Sequence, residues 1–351
     1  MKKFYLKKCA ALLAAIITGC TVTPCFSSAA YDDVEKIDAQ LLYAERALVT
    51  YLNSYDVDSN AVYLSDSYNV YNLDEEENGN DVYIVFENDT IIGMLSVTDI
   101  NGEYYSSFEF NSFDKLQEFY DNNDPISLVS SNEKLYVEES SETYEIYDKD
   151  VTISYNFSIT TEAELEKAHK LEISNLTDSM RVYTYQKNLT VPIVPNESIN
   201  GGLCWAAAIA SKVDFLNTST YVAHDVYYIL AGMYSGTPSG VPLWITRGYD
   251  YFGISTTTYY RMLNCVEVYN SINSDNPIHI DLFNSSVGHS VLISGITINA
   301  DGSGIYRLVD SNKLSYVDVI VPADVMTADS DFIYATSYGY TFDHWSRSYV
   351  D

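Results

Sequence analysis

An alanine-rich run that begins abruptly at Cys204 constrains the fold more than any other feature of this sequence. Two glycines, Gly201 and Gly202, lie just before it and permit a backbone path that other residues avoid. Apolar residues then recur at the spacing of one buried helical face, at Ile209, Val213 and Leu216. The run therefore predicts a buried helix with Cys204 in its first turn. Unpaired N–H groups and the helix dipole favour a thiolate there, although a small core side chain would fit the same pattern.

Two later segments carry residues that could complete a catalytic site with Cys204. His289 follows a glycine and opens an apolar strand, so its imidazole is expected at a sheet edge, where it can act as general base and then as acid. The next strand ends on Asp310 and Asn312, and either side chain could hold the second ring nitrogen of His289. Each segment alone is also compatible with packing or a strand-end turn. The order of cysteine, histidine and acid or amide predicts a thiol-dependent enzyme.

The first thirty residues predict a signal peptide. A basic start is followed by the apolar stretch Cys9–Gly19, which is too short to span a membrane. Cleavage after Ala30 would give a secreted, extracellular protein, whereas the lipobox-like sequence that ends at Cys20 would give a surface lipoprotein. After cleavage at Ala30 only Cys204 and Cys265 remain, which nearly excludes a disulfide framework.

Charge divides the remaining chain. Of the 49 acidic residues, 34 lie within residues 31–190, and the whole chain has a net charge of −30, which argues against nucleic-acid binding. Helical spacing over 33–52, several strands around a hairpin turn at Asn101-Gly102, and a charged helix over 162–174 predict an α+β unit without catalytic features. Residues 176–200 are polar, contain two prolines and predict a linker.

The segment Cys204–Leu230, followed by Gly288–Asn312, resembles the staphopain family of secreted bacterial papain-like cysteine proteases, and Thr220–Val226 carries much of the likeness. The resemblance implies an α+β fold: a papain-like catalytic domain over 186–351, with a helical lobe and an antiparallel sheet lobe. An α+β pro-region over 31–185 would precede it and block the cleft until proteolysis.

The same resemblance assigns roles to individual residues. It makes Cys204 the nucleophile and His289 the base, and it puts Asp310 at the family's asparagine if one residue is inserted; Asn312 is the alternative. The family's oxyanion glutamine falls on Ser198. Either of two nearby amides, those of Asn200 and Asn196, could replace it beside the backbone N–H of Cys204. We expect the specificity pockets on 236–248 and 283–287.

The predicted function is therefore that of a secreted cysteine endopeptidase, a monomer made as a zymogen. It would act on protein or peptide substrates, with its own pro-region as intramolecular inhibitor. No cofactor is expected, and no metal, because His224, His279 and His344 lack zinc-ligand spacing. Two alternatives remain open: an acyl transferase or amidase with the same fold, and a catalytically weakened binding protein on this fold.

Overall fold

A computed structural model describes residues 39–55, 61–73, 77–122, 126–131, 134–139, 142–146, 152–153, 171–172, 183–197, 202–299, 303–313, 315–322 and 332–351. The predicted signal peptide, residues 33–38 of the first predicted helix, and Asn200 lie outside these residues. The described part is a mixed α+β structure with a large, mostly antiparallel sheet.

Six helices lie within the described residues: α1 (Ala39–Tyr55), α2 (Asp114–Asn122), α3 (Cys204–Asn217), α4 (Ala223–Met233), α5 (Pro242–Tyr251) and α6 (Cys265–Asn273). Local sequence explains several of their ends. Helix α6 begins with a capping box in which Asn264 Oδ1 accepts from the N–H of Glu267, and the Glu267 carboxylate accepts from the N–H of Asn264. Helix α3 ends at Asn217, because the next residue, Thr218, has a φ of 52° that stops the helical path.

Within the described residues ten strands precede α3: β1 (Val62–Asn72), β2 (Glu77–Glu87), β3 (Thr90–Ile100), β4 (Glu103–Phe110), β5 (Ser127–Ser131), β6 (Lys134–Glu139), β7 (Glu142–Glu145), β8 (Thr152–Ile153), β9 (Leu171–Glu172) and β10 (Tyr183–Asn188). Eight follow: β11 (Thr257–Tyr259), β12 (Ile278–Phe283), β13 (Gly288–Asn299), β14 (Gly304–Val309), β15 (Val317–Val321), β16 (Tyr334–Ala335), β17 (Thr341–Phe342) and β18 (His344–Val350).

Most of the described strands form one sheet, in the order β11-β18-β12-β13-β14-β15-β4-β3-β2-β1-β5-β6-β7-β8. Strand β10 pairs with β13, β9 pairs with β1, and β16 with β17 forms a separate hairpin. Helices α3, α4 and α5 pack on one another, and α3 packs on β13. The core beneath α3 is apolar and includes Ile209, Val213 and Leu230.

The N-terminal part matches the sequence in outline and departs from it in detail. The predicted hairpin turn is present, with φ of 57° at Asn101 and 88° at Gly102, between β3 and β4. Leu171–Glu172 is a strand, which contradicts the end of the helix predicted over 162–174; the rest of that helix lies outside the described residues. Residues 183–188 are also a strand, so the predicted linker over 176–200 is wrong there. Extended backbone pairs with β13 and runs through the predicted boundary at 185/186.

A continuous sheet joins the N-terminal part to the C-terminal part. Strand β15 pairs antiparallel with β4, with Val317 opposite Glu109 and Val319 opposite Ser107. Helix α1 covers this junction: the buried Tyr51 hydroxyl donates to Ser106 O (2.8 Å) and accepts from the N–H of Ile320 (3.0 Å). The two parts are therefore linked by backbone pairing and by a shared core.

No helix within the described ranges combines the length and the apolar character needed to cross a membrane.

Candidate active site

Two neighbouring strands bring His289 and Asp310 together. His289 is the second residue of β13, and Asp310 directly follows β14. The two strands are antiparallel with Leu292 opposite Val309, so continuing this register puts Asp310 opposite residue 291. Residues 289 and 291 share a face of the strand, and a diagonal neighbour is within reach of a ring side chain. His289 Nε2 lies 2.9 Å from Asp310 Oδ1, and both side chains are fully buried.

Helix α3 supplies the third group. It begins at Cys204, as the glycine and alanine pattern predicts, and it packs on β13, the strand that carries His289. Cys204 is a half-buried free thiol, and its sulfur is near enough to the His289 ring to raise the pKa of that histidine. Since Nε2 of His289 is taken by Asp310, exchange of a proton with the thiol falls to Nδ1.

The electrostatics of the histidine–aspartate pair favour its charged form. Burial lowers the pKa of His289, but the Asp310 carboxylate and the Cys204 sulfur raise it by more, so the pKa lies well above its ordinary value. Burial raises the pKa of Asp310, but the charge of His289, hydrogen bonds from His289 and the Asn312 N–H, and the charge of Lys313 hold this pKa below its usual range. The result is an imidazolium–carboxylate pair beside a cysteine.

Two tyrosines that the sequence analysis missed complete the environment of Asp310. Tyr334 and Tyr338 donate from their hydroxyls to Asp310 Oδ2, at 2.8 and 3.1 Å. The Phe342 ring stacks on His289, with centroids 5.3 Å apart. All three aromatic residues belong to the segment 332–342. Its run of tyrosines is visible in the sequence, but no local pattern predicts that these side chains contact Asp310 and His289.

A cleft of about 250 Å³ opens over the thiol. Its walls include both sequence segments predicted to carry specificity, through Ser239 and Phe283 among others. A Cβ on Gly288 would lie 2.6 Å from the Phe283 ring, which explains why glycine precedes the histidine. The complete lining consists of residues 202–205, Tyr227, residues 238–240, Asp281, Phe283 and residues 288–290. No described residue before 202 lines the cleft.

The three amide candidates have different outcomes. The Asn196 side chain stabilises the loop before Cys204. Its Oδ1 accepts from the Leu203 N–H (2.7 Å), and its Nδ2 donates to Asn312 Oδ1 (2.9 Å). One hydrogen of that nitrogen is taken by Asn312, and Asn196 does not line the cleft. The Asn312 side chain in turn bonds to Asn196, while Asp310 takes the contact with His289. Asn200 lies outside the described residues.

No family model and no curated protein matches this chain. The geometry of Cys204, His289 and Asp310 therefore carries the functional argument.

The other histidines have different surroundings. His224 is partly exposed and bonds through Nδ1 to Glu197 Oε2 (2.6 Å), in the segment before Cys204. His279 is fully buried against the Tyr249 hydroxyl (2.8 Å), and burial lowers its pKa. Asp281, on the same strand as His279, reaches the cleft wall but is bonded to Ser290 Oγ (2.7 Å). Within the described ranges, no three histidine, cysteine or acidic residues are grouped as metal ligands.

Proposed function

We propose that this chain is a cysteine endopeptidase with a papain-like arrangement of its catalytic domain. The observation that carries the proposal is that a helix-start thiol and a buried, aspartate-bound histidine line the same open cleft. The arrangement of a helical layer (α3 to α5) beside an antiparallel sheet, with the cleft between them, supports the papain-like reading. Secretion through residues 1–30 stays a prediction.

Catalysis would proceed through an acyl-thioester. The Cys204 thiolate attacks the scissile carbonyl carbon, a C–S bond forms, and the carbonyl π electrons move to oxygen. Collapse of this intermediate breaks the C–N bond, and the departing amine takes the proton held by His289. Water then attacks the thioester carbonyl while His289 accepts its proton. The C–S bond breaks, the carboxylic acid leaves, and the ion pair of thiolate and imidazolium is restored.

Asp310 has a supporting part in this cycle. Its carboxylate fixes the ring of His289 and stabilises the imidazolium without itself taking the proton. The first-turn N–H groups of α3, beginning with that of Cys204, are the donors available to a developing oxyanion.

Inhibition by residues 31–185 stays a prediction. The described residues of this part give it no support, because none of them lines the cleft.

The decisive experiment compares Cys204→Ala with Cys265→Ser in the full chain. Cys265 is the other described cysteine, and burial raises its pKa, so it serves as a matched control. The wild type and the control should hydrolyse a peptide library and be labelled at Cys204 by an epoxysuccinyl inhibitor. Cys204→Ala should do neither, and should not cut its own N-terminal segment. Hydrolysis that survives in Cys204→Ala would refute the nucleophile.

The same assay separates hydrolysis from acyl transfer. A free amine added with the peptide competes with water for the thioester. Free carboxylic acid as the main product supports a peptidase, whereas a main product in which the amine is joined to the peptide would replace this proposal with a transferase. Labelling at Cys204 without either product would favour the binding-protein alternative.

A further inference from the structure

The Oδ2 atom of Asp310, which does not contact His289, is held by two groups that take no part in the reaction cycle. Oδ1 bonds to His289, whereas Oδ2 accepts from the hydroxyls of Tyr334 and Tyr338. Both tyrosines are fully buried, and neither lines the cleft, so they do not touch a substrate bound there. With Oδ2 fixed by two donors, the carboxylate cannot rotate away from the imidazole.

The N-terminal part holds the segment that carries these tyrosines. We call residues 334–342 the tyrosine hairpin; it consists of β16, β17 and the turn between them. Asn80 of β2 donates from Nδ2 to two of its carbonyls, Thr336 O (3.0 Å) and Tyr340 O (2.8 Å), and accepts from the Thr341 hydroxyl (2.7 Å). One side chain thus ties both ends of the turn to β2.

Two further contacts close this interface. The Ser107 hydroxyl, from β4, donates to Ala335 O, between the two tyrosines. Gly79 lies so close to the turn that a Cβ there would be 2.6 Å from Gly339 Cα. Backbone meets backbone at that point, so the hairpin has little freedom while β2 and β4 are in place.

We infer that Tyr334 and Tyr338 are positioning residues for Asp310, and that the N-terminal part, through Asn80, keeps them in position. The consequence for catalysis rests on the proposed function, but the positioning of Asp310 is a property of the fold with or without peptide hydrolysis. The N-terminal part is then a component that the active geometry needs.

The physical reason is the cost of a buried carboxylate. Asp310 is fully buried, and hydrogen bonds to the charged form lower that cost. Removing two phenol donors favours the protonated acid and frees the carboxylate to rotate, and both effects weaken the support for the imidazolium. Among the described residues, the titratable groups that face Asp310 or its partner His289 are Cys204, Tyr334, Tyr338 and Lys313, the last paired with Glu109.

The test uses the double variant Tyr334→Phe/Tyr338→Phe in the full chain with Cys265→Ser. The substitution keeps the rings and removes only the hydroxyls. The first readout is the rate of Cys204 alkylation by iodoacetamide against pH, which reports the thiolate without any need for hydrolysis. We expect alkylation at acidic pH to fall about tenfold, because a less stable imidazolium leaves a smaller fraction of Cys204 as thiolate. The second readout is hydrolysis, where kcat should fall while KM stays nearly constant because the tyrosines lie outside the cleft.

Tyr306→Phe is the matched control. Tyr306 is buried on neighbouring β14, and its hydroxyl has no hydrogen-bond partner among the described residues, so its removal breaks no bond. It should leave both readouts unchanged. Asn80→Ala tests the N-terminal part and should reproduce the double variant, whereas Asn69→Ala, at an exposed position of β1, should not.

The outcomes separate this inference from the proposed function. A double variant whose alkylation profile matches that of Tyr306→Phe would overturn the role of the tyrosines. An unchanged Asn80→Ala, or a rise in activity when residues 31–185 are cut off and removed, would overturn the role of the N-terminal part. If the wild type hydrolyses no peptide, the proposed function fails, and the alkylation profiles still decide this inference.

Discussion

A buried ion pair joins the two parts of the molecule and provides a quantitative test of the interface. Lys313 Nζ lies 3.4 Å from Glu109 Oε2, and both side chains are almost completely buried. Glu109 belongs to β4 and also accepts from the Ser315 hydroxyl (2.6 Å), while Lys313 lies three residues after Asp310. Glu109→Gln removes the negative charge but keeps an oxygen for Ser315.

The expected cost follows from burial. Removing one member of a buried pair costs about 3–5 kcal/mol, because the remaining charge loses its partner without regaining water. The Asp310 carboxylate also attracts Lys313, so we expect the lower end, about 3 kcal/mol at neutral pH. The control is Glu118→Gln, which breaks the exposed pair with Lys115 (3.0 Å) and should cost about 0–1 kcal/mol.

The deficit should also depend on pH. Burial lowers the pKa of Lys313, and Glu109 and Asp310 raise it in part; without Glu109 it should fall further. A lysine whose folded-state pKa lies below its unfolded value releases its proton first in the folded state, so the free energy of unfolding increases with pH in that window. In Glu109→Gln this pH range extends to lower pH, so the stability that the variant has lost relative to the wild type should become smaller at alkaline pH.

Urea denaturation, followed by tryptophan fluorescence at about pH 7 and about pH 9.5, measures both effects, because the lysine window lies below an ordinary pKa of about 10.4. All three tryptophans lie in the C-terminal part, so the signal reports the side of the interface that carries Lys313. If Glu109→Gln loses no more free energy of unfolding than Glu118→Gln at both pH values, the ion pair does not stabilise the contact between the two parts.

Three further predictions concern the site. Asp310→Asn should lower kcat by about 10³- to 10⁴-fold in a peptide assay; a change below tenfold would remove Asp310 from the triad. Gly79→Ala, which forces a Cβ against the Gly339 backbone, should reduce activity by disturbing the tyrosine hairpin. The control Gly232→Ala, in open space on helix α4, should not, and equal activity of the two variants would contradict the coupling. His289→Gln should lower the free energy of unfolding more at about pH 6 than at about pH 10. The raised pKa of His289 contributes stability that is present below about pH 6.5 and is lost as the pH rises through the pKa of the folded state. Equal losses of stability at the two pH values would refute this prediction.

Local chemistry made part of the fold readable from the sequence. Asn101-Gly102 forms a tight hairpin because both residues accept positive φ, and Cys204 begins a helix because alanines follow glycines. Strand β1 was missed. Its pairing with β2 shifts register twice, between Leu64 and Ser67 and again between Asn69 and Tyr71, so its side chains do not alternate as a regular strand would.

The sequence predicts the site residues that lie at the ends of recognisable strands or helices. It does not predict those that contact the site through a segment distant in sequence. His289 and Asp310 sit at the ends of apolar strands that pair with each other, so strand order sufficed. Tyr334 and Tyr338 reach Asp310 only because a hairpin folds back beneath it, and Asn80 reaches that hairpin across more than 250 residues of chain. Contacts of this kind depend on tertiary packing, and no local sequence pattern predicts them.

The junction between β4 and β15 also limits how the N-terminal part could be removed. Without β4, strand β15 would be a sheet edge that carries three valines, Val317, Val319 and Val321, which are buried in the intact sheet. Exposed apolar edges of this kind pair with other chains and aggregate. Cleavage of the chain and departure of the N-terminal part are therefore separate events: a cut would leave the pairing of β4 with β15 and the contacts of Asn80 intact. An activation that needs departure must first break a continuous sheet, whereas one that needs only a cut is compatible with this fold.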